Sequence, residues 1–150
     1  MIVLALDLGT NCGWAIHRGG TIESGVLRLK TSRKDRPGER WIRFRSELLR
    51  LITGVEVVVY ERVRRHEGLE ASHVYGGLRA LLEMVCESQG RTLRTVEVAH
   101  VKQHATGKGN AGKPAMIAAA RARGWAPIDD NDADALWILD WAMHGGMSGE

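Results

Sequence analysis

Three acidic residues stand where the surrounding sequence is apolar, and an acid in such a place needs a partner. Asp7 ends the apolar run IVLALD, and Glu61 directly follows the apolar run VEVVVY. Asp134 lies in ADALWIL, whose other residues are typical of the buried side of a helix. Phosphodiester hydrolysis with Mg²⁺ uses oxygen ligands around two ions roughly 4 Å apart, and carboxylates are ligands that this hard ion prefers. The acids therefore predict a site for Mg²⁺, with Mn²⁺ as a substitute, and phosphodiester cleavage by metal-activated water.

A second group of acids surrounds the start of the helix that carries Asp134. Asp129, Asp130 and Asp132 lie before and inside this helix start, where capping and the helix dipole favour acidic residues. Capping alone would explain this group. It does not explain Asp134, because that residue lies among apolar neighbours further along the helix.

The spacing of the apolar residues predicts the elements that hold these acids. Strands are predicted at residues 2–7, 13–18, 21–29, 55–60 and 92–99, and helices at 36–52, 71–86, 114–123 and 131–144. The order βββαβαβαα predicts an α/β fold, a mixed sheet with helices packed on both faces. In such a sheet the first and fourth strands can be neighbours, which would bring Asp7 and Glu61 to the same end. The last helix would deliver Asp134 to that end from its first turn.

The composition indicates a single domain over residues 1–150, with the last few residues as a disordered tail. Hydrophobic residues make up 44% and charged residues 26%, which is ordinary for a soluble globular protein. No apolar run approaches the roughly 18 residues of a membrane span, and the amino terminus lacks the features of an export signal. Cys12 and Cys86 are too few for a disulfide framework. We therefore expect reduced thiols, a cytoplasmic location and no contact with a membrane.

The charge balance suits a polyanionic partner. The chain has 21 Lys and Arg against 18 Asp and Glu, a formal net charge of +3. If four acids are gathered at a metal site, the remainder carries roughly +7, which favours nucleic acid. A basic protein with another role would have the same balance of charges, so net charge alone does not identify nucleic acid as the partner.

Four segments, in order and at consistent separations, carry a resemblance to a known family. They are LALDLGTNCGWAI (4–16), VVVYERV (57–63), VKQHATGKGNAGK (101–113) and DDNDADALWIL (129–139). Together they resemble RuvC-type Holliday junction resolvases, most closely the short phage-encoded branch, and the resemblance spans residues 1–144. It implies an RNase H-like fold, a homodimer, dependence on Mg²⁺ or Mn²⁺, and paired nicks in a four-way DNA junction during recombination or repair. For a phage-encoded protein the location would be the host cytoplasm.

The resemblance also implies roles for the acids. Asp7, Glu61 and Asp134 match the family's metal-binding acids. The family's fourth acid falls here on Asn131, so this position departs from the pattern. Asp130 lies four positions before Asp134 and can share its face of the helix, which makes it the preferred fourth ligand. Asn131 and Asp132 remain alternatives, although Asp132 is two positions from Asp134 and points elsewhere on a regular helix.

Basic residues near these motifs are expected to contact DNA. Lys102 and Lys113 match two lysines of the family: Lys113 is expected to act catalytically by contacting the scissile phosphate, and Lys102 to hold the DNA backbone. Lys108, in the same stretch, is also expected to bind DNA. Directly after YERV the family has an aromatic residue that works at the junction, whereas this chain has Arg64, within the stretch RVRRH (62–66). Backbone charge would replace stacking here, and other branched or forked DNA could also be cut. The residues expected to supply that charge are Arg62, Arg64 and Arg65.

Two other functions share some of these features. GKGNAGK nearly matches a nucleotide-binding P-loop, but Pro114 stands where that motif needs Ser or Thr. LDLGT also resembles the phosphate loop of sugar kinases and actin-like ATPases, which enclose their nucleotide between two domains of this type. One domain cannot do so, and we expect no nucleotide cofactor. A catalytically silent nucleic-acid-binding module of the same fold is the remaining alternative, and the three acids argue against it.

Overall fold

The computed structural model describes residues 1–147. The predicted tail falls largely on residues 148–150, outside the described residues. None of the helices within 1–147 is long and apolar enough to cross a membrane. A π-helical turn at Ala142–Gly146 follows the last helix. The regular elements are β1 (Val3–Asp7), β2 (Asn11–Arg18), β3 (Thr21–Arg28), α1 (Glu39–Leu51), β4 (Val57–Arg62), α2 (Leu69–Gln89), β5 (Thr92–Glu97), α3 (Val98–Thr106), α4 (Lys113–Ala122) and α5 (Asp130–Trp141).

The strands form one mixed five-stranded sheet in the order β3-β2-β1-β4-β5. β1 pairs antiparallel with β2, and β2 pairs antiparallel with β3. On the other side β1 pairs parallel with β4, and β4 pairs parallel with β5. The predicted adjacency of the first and fourth strands is therefore confirmed.

Side chains alternate between the two faces of the sheet, and each face is covered by helices. Leu4 and Leu6 of β1 belong to one hydrophobic core, which includes buried residues of α1 and α2. Val3 and Ala5 belong to a second core, on the other face, with buried residues of α3, α4 and α5. The predicted α/β architecture with helices on both faces is confirmed.

The structure contains one helix more than the sequence pattern predicted. The predicted fifth strand, 92–99, ends at Glu97, and α3 begins at the next residue. Within α3, Val101 and Ala105 lie four positions apart, about one helical turn, and pack toward the second core. This helix is only nine residues long, and its first two residues fall within the strand predicted at 92–99. The extra helix matters for function because it carries Lys102.

Candidate active site

Asp7 and Glu61 stand at the carboxyl ends of two adjacent parallel strands. Leu6 of β1 pairs with Tyr60 of β4, so these acids are the next residues along each strand. Asp7 continues the side-chain series of Val3 and Ala5, which faces α5. Glu61 continues the equivalent series in β4. We call this place, where β1 and β4 finish, the acidic end of the sheet.

The acids at the start of α5 fall into two groups according to their hydrogen bonds. Asp129 is the N-cap, and its Oδ1 accepts a hydrogen bond of 2.9 Å from the backbone N–H of Asp132. Asp132 is buried, and its Oδ2 accepts 2.9 Å from the N–H of Ile128. These two carboxylates therefore build the start of the helix. Asp130 and Asp134, four positions apart, take no part in these bonds, and both raise the pKa of Asp7, with Asp129 as the smallest contribution.

Gly13 explains how the start of α5 comes so close to the sheet. Gly13 lies in β2 and pairs with Asp7. A Cβ built at Gly13 would overlap the backbone carbonyl of Asn131 in the first turn of α5. Only glycine allows this approach, and a glycine inside a strand commonly marks such a contact. No role was predicted for Gly13 from the sequence, although a glycine at the start of the strand predicted at 13–18 was a usable signal.

The carboxylates at this end raise one another's pKa. The pKa of Asp7 is well above its ordinary value, first because of burial and then because of Glu61, Asp134 and Asp130. Burial, followed by repulsion from Asp134, raises the pKa of Glu61 from 4.5 to about 7. Burial and Asp130 raise the pKa of Asp134 from 3.8 to about 6. Neighbouring carboxylates act in this direction because each disfavours the charge of the others.

Two lysines from the helices beyond β4 border the acids. Lys102 of α3 and Lys113, the first residue of α4, line a cavity of about 260 Å³ together with Glu61 and Asp134. Lys102 lowers the pKa of both acids, and Lys113 lowers that of Asp134. The Nζ of Lys113 also lies 3.4 Å from Oδ2 of Asp130. The cavity thus combines an acidic wall with two cations at its rim.

The donor set suits a hard divalent cation. The groups that interact here are carboxylates, whose oxygens fit Mg²⁺ or Mn²⁺. Cys12 is unsuitable as a ligand, because burial and Asp7 raise its pKa far above the neutral range. Within residues 1–147, however, no three Asp, Glu, His or Cys side chains form a ready-made ligand group. Ligation by Asp7, Glu61, Asp130 and Asp134 stays a prediction, supported by donor chemistry and mutual repulsion.

The other predicted DNA contacts are placed near this end in different environments. Arg64 is bonded to Glu97 by two hydrogen bonds of 2.7 and 3.1 Å, so its guanidinium is already paired. Arg65 and Lys108 are exposed, whereas Arg62, the last residue of β4, is half-buried. Their contacts with DNA remain predictions.

Tyr75 of α2 has a role that its spacing did not reveal. Its hydroxyl donates to the carbonyl of Glu61 at 3.1 Å and accepts from the N–H of Val63 at 3.1 Å. These bonds join the end of β4 to α2 on both sides of Arg62. The sequence pattern predicted a helix at 71–86, which includes Tyr75, but it contained no signal for the hydroxyl's partners.

Comparison with solved structures assigns the fold. RuvC from T. thermophilus in complex with a Holliday junction substrate superposes with a TM-score of 0.79 and 24% identity, covering 99% of this chain and 96% of that chain. Another Thermus thermophilus RuvC structure gives 0.73 at 24% identity, with 97% of each chain covered. The fowlpox virus Holliday junction resolvase gives 0.62 at 13% identity, covering 97% of this chain and 99% of that one. No protein-family model and no curated protein matches the sequence. The predicted RuvC-like, RNase H-like fold is therefore confirmed over nearly the whole chain.

Proposed function

We propose that this chain is a structure-selective DNA endonuclease that resolves four-way junctions by metal-dependent hydrolysis. The observation that carries the proposal is the acidic end of the sheet. There, burial and then mutual repulsion raise the pKa values of carboxylates that β1, β4 and α5 contribute. Two lysines border them, and the fold is the one found in RuvC bound to a Holliday junction substrate.

The residues divide the chemistry between them. Asp7, Glu61, Asp130 and Asp134 would hold Mg²⁺ or Mn²⁺, which would supply an activated water and charge stabilisation at the leaving oxygen. Lys113 is exposed at the start of α4 and meets the charge of the scissile phosphate. Lys102 holds a neighbouring phosphate and keeps Glu61 and Asp134 closer to their ionised forms. The product is a nick, with no covalent enzyme intermediate.

Paired nicks in a junction require two such sites related by a two-fold axis. We therefore propose a homodimer, with branched DNA as its partner and recombination or repair as its process. We also propose that the protein works in the cytoplasm, the host's if a phage encodes it. Forked or otherwise branched DNA is included among the substrates, because Arg64, which pairs with Glu97, stands where the family has the aromatic residue that works at the junction.

A catalytically silent binding module is the second candidate. One observation favours it: the acids in residues 1–147 form no ready-made ligand group. Such a module would bind the junction with the same surface and would leave every strand intact. The two candidates therefore differ in cleavage and agree in binding.

The deciding experiment titrates Mg²⁺ and Mn²⁺ with the full chain on an end-labelled four-way junction. We expect cleavage by the parent protein, loss of cleavage in Glu61→Gln, and retention of junction binding in that variant. Glu23→Gln is the matched control, because Glu23 is an exposed residue of β3. Binding without cleavage at any metal concentration would establish the silent module. Cleavage by Glu61→Gln at the parental rate would show that the acidic end does not take part in the reaction.

A further inference from the structure

The connection between β3 and α1 concentrates the positive charge of the molecule. We call residues 28–36 the basic connection. It holds five of the 21 basic residues and one of the 18 acidic residues, a local net charge of +4 in a chain whose total is +3. The rest of the chain is therefore slightly acidic. The basic residues are Arg28, Lys30, Arg33, Lys34 and Arg36.

The basic connection leaves the sheet at the acidic end. β2 is antiparallel to both β1 and β3, so β3 finishes at the same end as β1. Arg28, its last residue, donates to Oδ1 of Asn11 at 3.3 Å and lies 3.9 Å from the carboxylate of Asp129. The next residue, Leu29, donates its N–H to the carbonyl of Thr10 at 2.7 Å. The connection is thus tied to the loop after Asp7 and to the cap of α5.

Most of its cations have no acidic partner. Lys30, Arg33, Lys34 and Arg36 are exposed and form no ion pair with any residue in the described part of the chain. The one acid of the connection, Asp35, accepts from the N–H of Ser32 at 2.8 Å and lies 3.7 Å from Arg43 of α1. Asp35 therefore shapes the connection and does not neutralise its outward charge.

A run of exposed, unpaired cations fits a regular polyanion. Duplex DNA carries a charge every roughly 1.7 Å along its axis, so the exposed cations of one short connection can face several neighbouring phosphates. A duplex arm next to the cut strand would pass this surface, because the surface borders the acidic end. We propose that the basic connection binds the sugar-phosphate backbone of such an arm without reading its sequence. This inference rests on the proposed function, which supplies the DNA at the neighbouring acids.

The test compares two double variants that remove the same charge. Arg33→Gln/Lys34→Gln alters the basic connection. Arg91→Gln/Arg94→Gln alters the opposite edge of the sheet, where Arg91 directly precedes β5 and Arg94 lies within it. Binding to a labelled four-way junction and to one duplex arm is measured by fluorescence anisotropy in EDTA, from 50 to 200 mM salt. Thermal melts of both variants confirm that they fold.

We expect Arg33→Gln/Lys34→Gln to reduce the salt dependence by about 0.9 for each lost phosphate contact. At 0.1 M salt this corresponds to roughly 8-fold weaker binding per contact. The Arg91→Gln/Arg94→Gln control should bind like the parent. An equal loss of DNA affinity in the two double variants, or no loss in Arg33→Gln/Lys34→Gln, would overturn the proposal. A larger loss on duplex RNA than on duplex DNA would also overturn the assignment to a DNA arm.

The same samples with Mg²⁺ separate this proposal from the proposed function. If the parent cuts no junction but the basic connection still governs binding, the nuclease function fails and the binding surface stands. If the parent cuts and Arg33→Gln/Lys34→Gln binds normally, the surface fails and the nuclease function stands.

Discussion

Replacing Glu61 by glutamine should make the metal-free protein more stable while abolishing its activity. Burial and repulsion from Asp134 raise the pKa of Glu61 from 4.5 to about 7. A carboxyl with a raised pKa in the folded state binds protons more tightly there than in the unfolded chain. Its ionised form therefore costs folding free energy, and glutamine carries no such charge.

The size and pH range of the effect follow from that pKa. A change from 4.5 to about 7 corresponds to roughly 3 kcal/mol at 1.36 kcal/mol for each pKa unit. Glu61 is only half-buried, so screening by solvent reduces this to about 1–2 kcal/mol. The cost is absent below pH 4.5, grows as the pH rises to about 7, and is fully present above that value. Glu61→Gln should gain stability over the same window.

The assay is urea unfolding in EDTA at pH 4.5 and at pH 8, with thermal melts alongside. At pH 8 the gain should raise the melting temperature by roughly 2–8 °C in a domain of this size, and at pH 4.5 it should vanish. Glu23→Gln, at an exposed position of β3, should change neither value. Equal stability of parent and Glu61→Gln at pH 8, or a gain of the same size at both pH values, would refute the electrostatic reasoning.

Three further predictions follow: two concern residues that position the acids, and the third concerns the binding of Mg²⁺ by the acids themselves. Tyr75→Phe leaves the Glu61 carbonyl and the Val63 N–H without their partner. We expect a loss of about 1–3 kcal/mol in urea unfolding and a higher Mg²⁺ concentration for half-maximal cleavage; unchanged values of both would show that Tyr75 positions nothing. Gly13→Ala should cost about 1–3 kcal/mol and slow cleavage, because its Cβ would overlap the Asn131 carbonyl. Gly76→Ala, with open space around its Cβ, is the control, and equal behaviour of the two variants would contradict the close approach of α5. Mg²⁺ should raise the melting temperature more at pH 8 than at pH 5, because acids with raised pKa values must lose their protons to bind it; a pH-independent rise would place the ion elsewhere.

Much of the acidic end could be predicted from the sequence, because the signals are local. Asp7 and Glu61 directly terminate apolar runs, so their positions at strand ends follow from the pattern alone. The alternation of side chains along a strand then decides which face they share. Asp134 was identifiable because an acid among the buried residues of a helix is costly without a partner.

The roles of the neighbouring acids in α5 depended on the tertiary structure. In sequence, Asp129, Asp130 and Asp132 are alike, and each suits a helix start. In the structure, Asp129 and Asp132 accept hydrogen bonds from backbone N–H groups at the start of α5, whereas Asp130 lies next to Lys113. That difference depends on how α5 packs on the sheet, which no local pattern records.

Contacts between distant residues were decided only by the tertiary structure. The overlap that a Cβ at Gly13 would make with Asn131 joins a strand to a helix more than 100 residues later. The Tyr75 hydroxyl finds its partners across α2 and β4. The sequence by itself determined which residues are apolar, acidic or basic and how they repeat along each element. The distances between elements, and therefore the pKa values and the exposure of charge, arise only when the elements pack together.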